Sequence, residues 1–285
     1  MKRNKIKRKY LDVIKQIDNK DIINDESSNK ESWLDKYINK ILKGCFSFLL
    51  ILLLLFWGSI PVIIMLIMGL DIDKMAMNNK VWFMLLGDFL FLALLFKIYY
   101  KDIKRDFKNY FGKNFGANFR QSLKYWLAGF GIMYISNLVI SLVIGEITNN
   151  EESVRVLIDT APLYMAFNLA IYAPLTEELI FRRSFRDVFD NRYLYAIVSG
   201  VIFGGLHVLS SISGMIDLLY LIPYCALGIA FGLLYSKSNN IFSTIVVHSI
   251  HNTLALVLYL FIWYNEEVVI FYFRVFSINI CLFSL

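Results

Sequence analysis

Cysteine is scarce in this chain of 285 residues. Its three examples, Cys45, Cys225 and Cys281, each sit in or beside an apolar stretch, with neither Cys-x-x-Cys spacing nor a cluster. A disulfide framework and a cysteine-only metal site are therefore excluded. Internal repeats and low-complexity tracts are also lacking. Residues 1–44 are mostly polar, so no cleaved signal peptide is expected ahead of the first apolar run. Leu42-Lys43-Gly44-Cys45 looks like a lipoprotein cleavage box but precedes the hydrophobic run instead of following it, so lipidation is not expected either. Histidine is as rare as cysteine: His207, His248 and His251 complete the set.

What is abundant is apolar surface. Hydrophobic residues make up 58 % of the chain and aromatics 16 %, with mean hydropathy +0.55. That is more than one soluble core can hide, and several runs approach or exceed eighteen residues. The expected fold is all-α, a polytopic transmembrane helical bundle of about eight spans, since lipid offers backbone groups no partners. A basic and polar N-terminal arm, 1–44, precedes a bundle over 45–285. The spans are expected at 45–70 with a break at Pro61, 81–99, 125–145, about 163–186, 194–210, 216–235, 241–262 and a less regular eighth at 268–284 containing Arg274.

The net charge of +6 is unevenly spread. Lys2, Arg3, Lys5, Lys7, Arg8 and Lys9 crowd the start, and between Lys97 and Lys124 eight Lys or Arg face two Asp. The connection 146–159 is acidic except for Arg155, whereas Arg182, Arg183 and Arg186 close the fourth span and Arg192 follows it. Alternating basic and acidic loops put the N-terminus in the cytoplasm. The early basic cluster reads as a topology anchor near anionic lipid, not as a nucleic-acid site.

Within the apolar sequence stands Ala173-Pro174-Leu175-Thr176-Glu177-Glu178-Leu179-Ile180-Phe181-Arg182. Ionisable groups in a membrane are costly and mark function by default. Adjacent glutamates point about 100° apart on a helix, while Glu178 and Arg182 share a face with the acid N-terminal to the base. Glu178 is thereby neutralised, and Glu177 is left where loss of water suits a proton acceptor. Pro174 cannot donate to the carbonyl of Ala170, so a kink is expected just before the acids. Phe203 and His207 share one helix face, as do His248 and Asn252; His251 lies only about 60° round from His248. Gly200 and Gly204 form a small-xxx-small face for close helix approach. For Arg182 to pair with Glu178 inside the protein, the fourth helix must run to about Arg186, and a cavity opening toward the cytoplasm is expected. Asp88 in the second span reads as a packed or cavity-facing polar residue.

Glu177-Glu178-x-x-x-Arg182, Phe203-x-x-x-His207 and His248-x-x-x-Asn252 resemble the three ordered motifs of the CPBP family, which comprises CaaX prenyl endoproteases and bacterial bacteriocin-processing or immunity membrane proteases. The resemblance covers about residues 160–260. It implies an intramembrane endopeptidase acting on a membrane-associated peptide or protein, with Glu177 and His207 activating water and Glu178 and Arg182 maintaining the site beside Phe203. His248 and Asn252 would stabilise an oxyanion or bind a metal. Cofactors are expected to be none, or one divalent metal such as Zn held by Glu177, His207 and His248. Asn is a poor zinc ligand and a natural oxyanion donor, which favours a glutamate-activated water.

Other intramembrane protease chemistries lack their residues. The chain has no His-Glu-x-x-His helix, no Gly-x-Gly-Asp pair beyond the fragment Gly87-Asp88, and no Gly-x-Ser-x nucleophile in its spans. The contrasting class is a non-catalytic bacteriocin-immunity or cell-envelope regulatory protein of the same fold; a proton-coupled transporter would need a symmetry that is not visible. Richness in Lys, Asn and Ile suggests a bacterial plasma membrane, where a prenylated CaaX protein is not an expected substrate. The expected partners are lipid and a membrane-associated substrate, with no nucleic acid.

Overall fold

A computed structural model describes residues 33–144, 149–209 and 214–264. All regular structure among these residues is helical. In chain order the helices are α1 (Trp33–Trp57), α2 (Ser59–Ile67), α3 (Met77–Tyr110), α4 (Phe115–Ile144), α5 (Asn149–Thr160), α6 (Pro162–Phe167), α7 (Ala173–Glu177), α8 (Arg192–Leu209), α9 (Leu221–Ser238) and α10 (Phe242–Tyr264). Two π-helical stretches, Asn168–Tyr172 and Glu178–Ser184, flank α7, and a 3-10 turn, Met215–Tyr220, leads into α9.

Among the described residues six helices are long and apolar enough to cross a membrane: α1, α3, α4, α8, the stretch Met215–Ser238 and α10. Large apolar side chains such as Phe56, Leu142 and Phe261 stand exposed on them, as expected where lipid is the solvent. The chain is an all-helical, multi-pass membrane bundle. Contacts divide it into two units. Of the first, 1–45, only the helical residues 33–45 are described; the second, 46–285, holds the bundle.

Several expected boundaries shift. The first long helix begins at Trp33, so the end of the polar arm is already helical, and its break falls at Gly58, ahead of Pro61. Pro61 lies instead in the first turn of α2, where its missing N–H removes no helical bond. The acidic connection expected at 146–159 is largely the helix α5. The fourth span is not one α-helix but the succession from α6 to Ser184. The eighth span, 268–284, lies outside the described residues.

Glycine sets the closest approach in the bundle. A Cβ on Gly200 would lie 2.5 Å from the Ile229 backbone nitrogen, and one on Gly204 2.7 Å from that of Cys225. Helices α8 and α9 thus meet backbone to backbone, as the small-xxx-small face predicts. Around them a core of Phe181, Phe203, Tyr195, Leu227, Phe231 and Ile245 joins the diacid segment to α8, α9 and α10. A second cluster, including Val154, Ile158, Met165 and Leu256, packs α5 and α6 on α10.

Polar ties bind the basic connections to one another. Arg183 Nε donates to Asp102 Oδ2 at 2.7 Å. The buried Asp106 carboxylate accepts from Arg105 and, at 2.9 Å, from the N–H of Ile241, while the side chain of Asn240 donates to the Asp106 carbonyl. The end of α3, the end of the diacid segment and the α9–α10 turn therefore share one face of the bundle.

Candidate active site

The site begins with a missing hydrogen. Pro174 has no N–H for Ala170, and the chain widens: Ala173 N–H bonds the carbonyl of Asn168, five residues back. The expected kink is thus a π-helical turn, the form helix insertions commonly take. Thr176 Oγ1 donates to the Tyr172 carbonyl at 2.8 Å and to that of Ala173 at 3.1 Å. Glu177 closes α7 and Glu178 opens the second π-helical stretch.

Glu177, Glu178, Arg182, His207, His248 and Asn252 are each at most 2 % exposed. Arg182 Nε lies 3.3 Å from Glu178 Oε2, the i,i+4 pair read from the spacing. Glu178 has a further partner, because His248 Nδ1 lies 2.9 Å from its Oε1. An ionised Glu178 accepts the Nδ1–H, which makes Nε2 the other, variable nitrogen of His248. That nitrogen lies 3.7 Å from Glu177 Oε2. The two glutamates therefore bracket one imidazole: Glu178 orients it and Glu177 faces its far edge.

His207 is one layer away. Its Nδ1 bonds the Phe203 carbonyl at 2.8 Å, so the N–H donates there and Nε2 is the basic nitrogen. Its ring stacks on Tyr224, with centroids 5.4 Å apart, and meets Phe203 at a tilt, with centroids 4.5 Å apart. Phe203 is the common wall: its ring lies 4.8 Å from the Arg182 guanidinium carbon and 6.1 Å from the His248 ring. Cation–π contact with Phe203 adds to what holds Arg182.

Asn252 follows His248 by one turn, and its Nδ2 donates to the Leu169 carbonyl at 3.1 Å. One amide hydrogen is thus committed to the π-helical turn, and the amide group carries a second. His251 turns away toward α4, where Trp126 Nε1 donates to its Nδ1 at 3.4 Å. Geometry therefore separates the two histidines of α10, which spacing alone left equivalent.

The residues do not fit a metal. Among the described residues no set of three His, Cys, Asp or Glu side chains is arranged to hold an ion, and His248 directs its two nitrogens at the two glutamates.

Sequence reasoning missed the residues that secure Arg182 and Glu178. Arg182 donates to Ser199 Oγ at 2.9 Å, Ser199 donates to the Phe181 carbonyl, and Tyr195 OH donates to the carbonyl of Arg182. A signal existed: Ser199 stands four residues before Phe203, on the face of a motif residue. A cavity of about 580 Å³ lies at the starts of α3 and α6, lined by Asn78, Trp82, Leu85, Phe89, Tyr164 and Phe167 among others. It is on the side of the acidic connections and includes none of the predicted site residues.

An all-helical bundle that buries a glutamate pair against histidines defines a class, the polytopic membrane proteins with ionisable side chains packed inside the bundle. The chain belongs to the Rce1-like family of type II CAAX prenyl endopeptidases, a family of membrane proteases, whose model matches residues 159–254. It is 28 % identical over 148 residues to "Putative membrane peptidase YdiL" of Bacillus subtilis (strain 168), a match covering 49 % of this chain and 57 % of that protein. It is 30 % identical over 132 residues to the UPF0177 protein YxdF of Lactococcus lactis subsp. lactis (strain IL1403), covering 44 % of this chain and 71 % of that one. The chain thus spans little more than half the length of YdiL. No solved structure matches it.

Proposed function

We propose that the chain is an intramembrane endopeptidase that hydrolyses a peptide bond in a membrane-associated peptide or protein with a glutamate-activated water. The observation that carries this reading is the 3.7 Å approach of Glu177 Oε2 to His248 Nε2, with the other ring nitrogen held by Glu178. In the reaction, Glu177 takes a proton from water as the water oxygen bonds the scissile carbonyl carbon. The second N–H of Asn252 supports the oxyanion. When the carbon–nitrogen bond breaks, the proton on Glu177 passes to the leaving amine, which restores the carboxylate. His207, with Nε2 basic, assists the water, and Glu178 with Arg182 keeps His248 in place. Sharing between Glu177 and the two imidazoles is what a general acid–base site requires.

The bacterial plasma membrane, with the N-terminus cytoplasmic, is the proposed setting. The relative named as a membrane peptidase supports the reaction type. The test compares the peptides in membranes holding wild type with those in membranes holding Glu177→Ala. A general base contributes about 10²–10⁴ in rate, so at least one peptide should persist uncleaved in the variant, and His207→Ala should act in the same direction. Identical peptide profiles, with the variant still complementing a null strain, would instead favour the non-catalytic immunity or envelope-regulating role.

A further inference from the structure

Asp102 and Asp106 stand one turn apart on α3, with side chains 17 % and 1 % exposed. The reaction uses neither, yet each carboxylate oxygen has its own partner. Asp102 Oδ2 accepts from Arg183 Nε at 2.7 Å, and its Oδ1 pairs with Arg105 at 2.9 Å. Asp106 Oδ1 accepts from Arg105 Nε at 2.8 Å, and its Oδ2 from the Ile241 N–H at 2.9 Å. The Asp106 carbonyl takes the Asn240 side chain, also at 2.9 Å. The bonds form one unbroken line from Arg183 through Asp102, Arg105 and Asp106 to Ile241. Carboxylates four residues apart on one helix face repel, so the line depends on Arg105 at its middle and Arg183 at its end.

The line ends on the two segments that make the site. Arg183 follows Arg182 and lies five residues beyond Glu178. Ile241 stands at the entry of α10, seven residues or about 10 Å before His248. Neither end is slack. Arg183 also pairs with Asp187 at 3.2 Å. In the turn before α10, the Phe242 N–H bonds Asn240 Oδ1 at 3.0 Å and Ser243 Oγ donates to the Asn240 carbonyl at 2.6 Å. A displacement of Ile241 is therefore carried into α10 instead of being absorbed by the turn. Between the two segments, the site has little tolerance: Glu178 Oε1 is 2.9 Å from His248 Nδ1, and Glu177 Oε2 is 3.7 Å from His248 Nε2.

We propose that Asp102, Arg105 and Asp106 are positioning residues, a clasp on α3 that fixes the diacid segment and α10 against each other and so sets His248 between the two glutamates. The effect on rate rests on the reading of Glu177 as the base; the effect on His248 does not.

The chain has only three histidines, so isotopic labelling of their ring nitrogens lets magnetic resonance follow each one. In the purified full chain, the His248 Nδ1–H resonance, assigned by its loss in His248→Gln, should move in Asp102→Ala, Asp106→Ala and Arg105→Gln. The His207 resonance should stay, because its partner, the Phe203 carbonyl, belongs to the same helix. In proteoliposomes, the probe is the peptide that persists with Glu177→Ala. Its kcat should fall about tenfold in Asp102→Ala and in Asp106→Ala with KM unchanged, the cost of slight misplacement. Combined, the two should still cost about tenfold and not about a hundredfold, because they open the same line.

A His248 resonance unmoved in all three variants would overturn the clasp. Rate effects that multiply would do the same, since they mark two separate contacts. Movement of His207 along with His248 would overturn it as a general loosening. His248 displaced with kcat intact would overturn the positioning role. If the alanine variants do not fold, Arg105→Gln decides alone, its side chain being half exposed. If Glu177→Ala itself cleaves normally, it is the catalytic reading that fails, and the His248 resonance still decides whether the clasp exists.

Discussion

Arg182 is fully buried and touches four things at once: Glu178, Ser199, the face of Phe203 and, through its carbonyl, Tyr195. Removing one partner of a buried ion pair strands the other charge, at about 3–5 kcal/mol, whereas losing one hydrogen bond costs about 1 kcal/mol. Arg182→Ala should therefore destabilise the protein several-fold more than Ser199→Ala, measured by unfolding in mixed micelles. Equal effects would mean that Glu178 is held chiefly by His248. The Glu178–Arg182 contact was legible in the sequence because it spans one helical turn. The Glu178–His248 contact was not, because 70 residues separate the partners and nothing local in α10 says which of His248 and His251 turns inward. Only the packing of Trp126 against His251 decides it.

Elements follow the same division between local and distant causes. Span identity could be read from apolar runs, and the approach of α8 to α9 from Gly200 and Gly204, because small residues permit contact whatever the partner. The π-helical turns were not legible as such: a continuous apolar run has no polar face to betray a one-residue insertion, and Pro174 announced only that the ladder must break. The glycine contact has a measurable price. At Gly200 the added carbon would meet the backbone of α9 at 2.5 Å, and at Gly228 that of α8 at 2.8 Å, so no side chain can yield. Overpacking of this kind costs about 1–3 kcal/mol. Gly200→Val should lower the unfolding midpoint in detergent, while Gly205→Val, where a Cβ would meet nothing within 4 Å, should leave it nearly unchanged. If both variants unfold alike, α8 and α9 do not meet as described.

At the scale of the molecule, the ties from Asp102 and Asp106 to Arg183, Asn240 and Ile241 gather the basic connections on one face. The connections bearing Asp71, Asp73 and Asp159 lie at the opposite helix ends. The proposed orientation, by the positive-inside bias, puts this basic face in the cytoplasm. From that face, His248 is about 9 Å along α10, and Ser199 and His207 are about 10 and 22 Å along α8 at 1.5 Å per residue. The candidate site is thus layered inward from the basic face, with the arginine outermost and His207 deepest, and in the proposed orientation a substrate cut by Glu177 would present its bond from the inner leaflet. The orientation is open to a direct test. In a chain with Cys45, Cys225 and Cys281 replaced, a single cysteine at Lys113 should react with an impermeant maleimide only after spheroplasts are permeabilised, and one at Asp73 should react before. The reverse pattern would put the basic face outside, and the proposed cytoplasmic approach to Glu177 would fall with it.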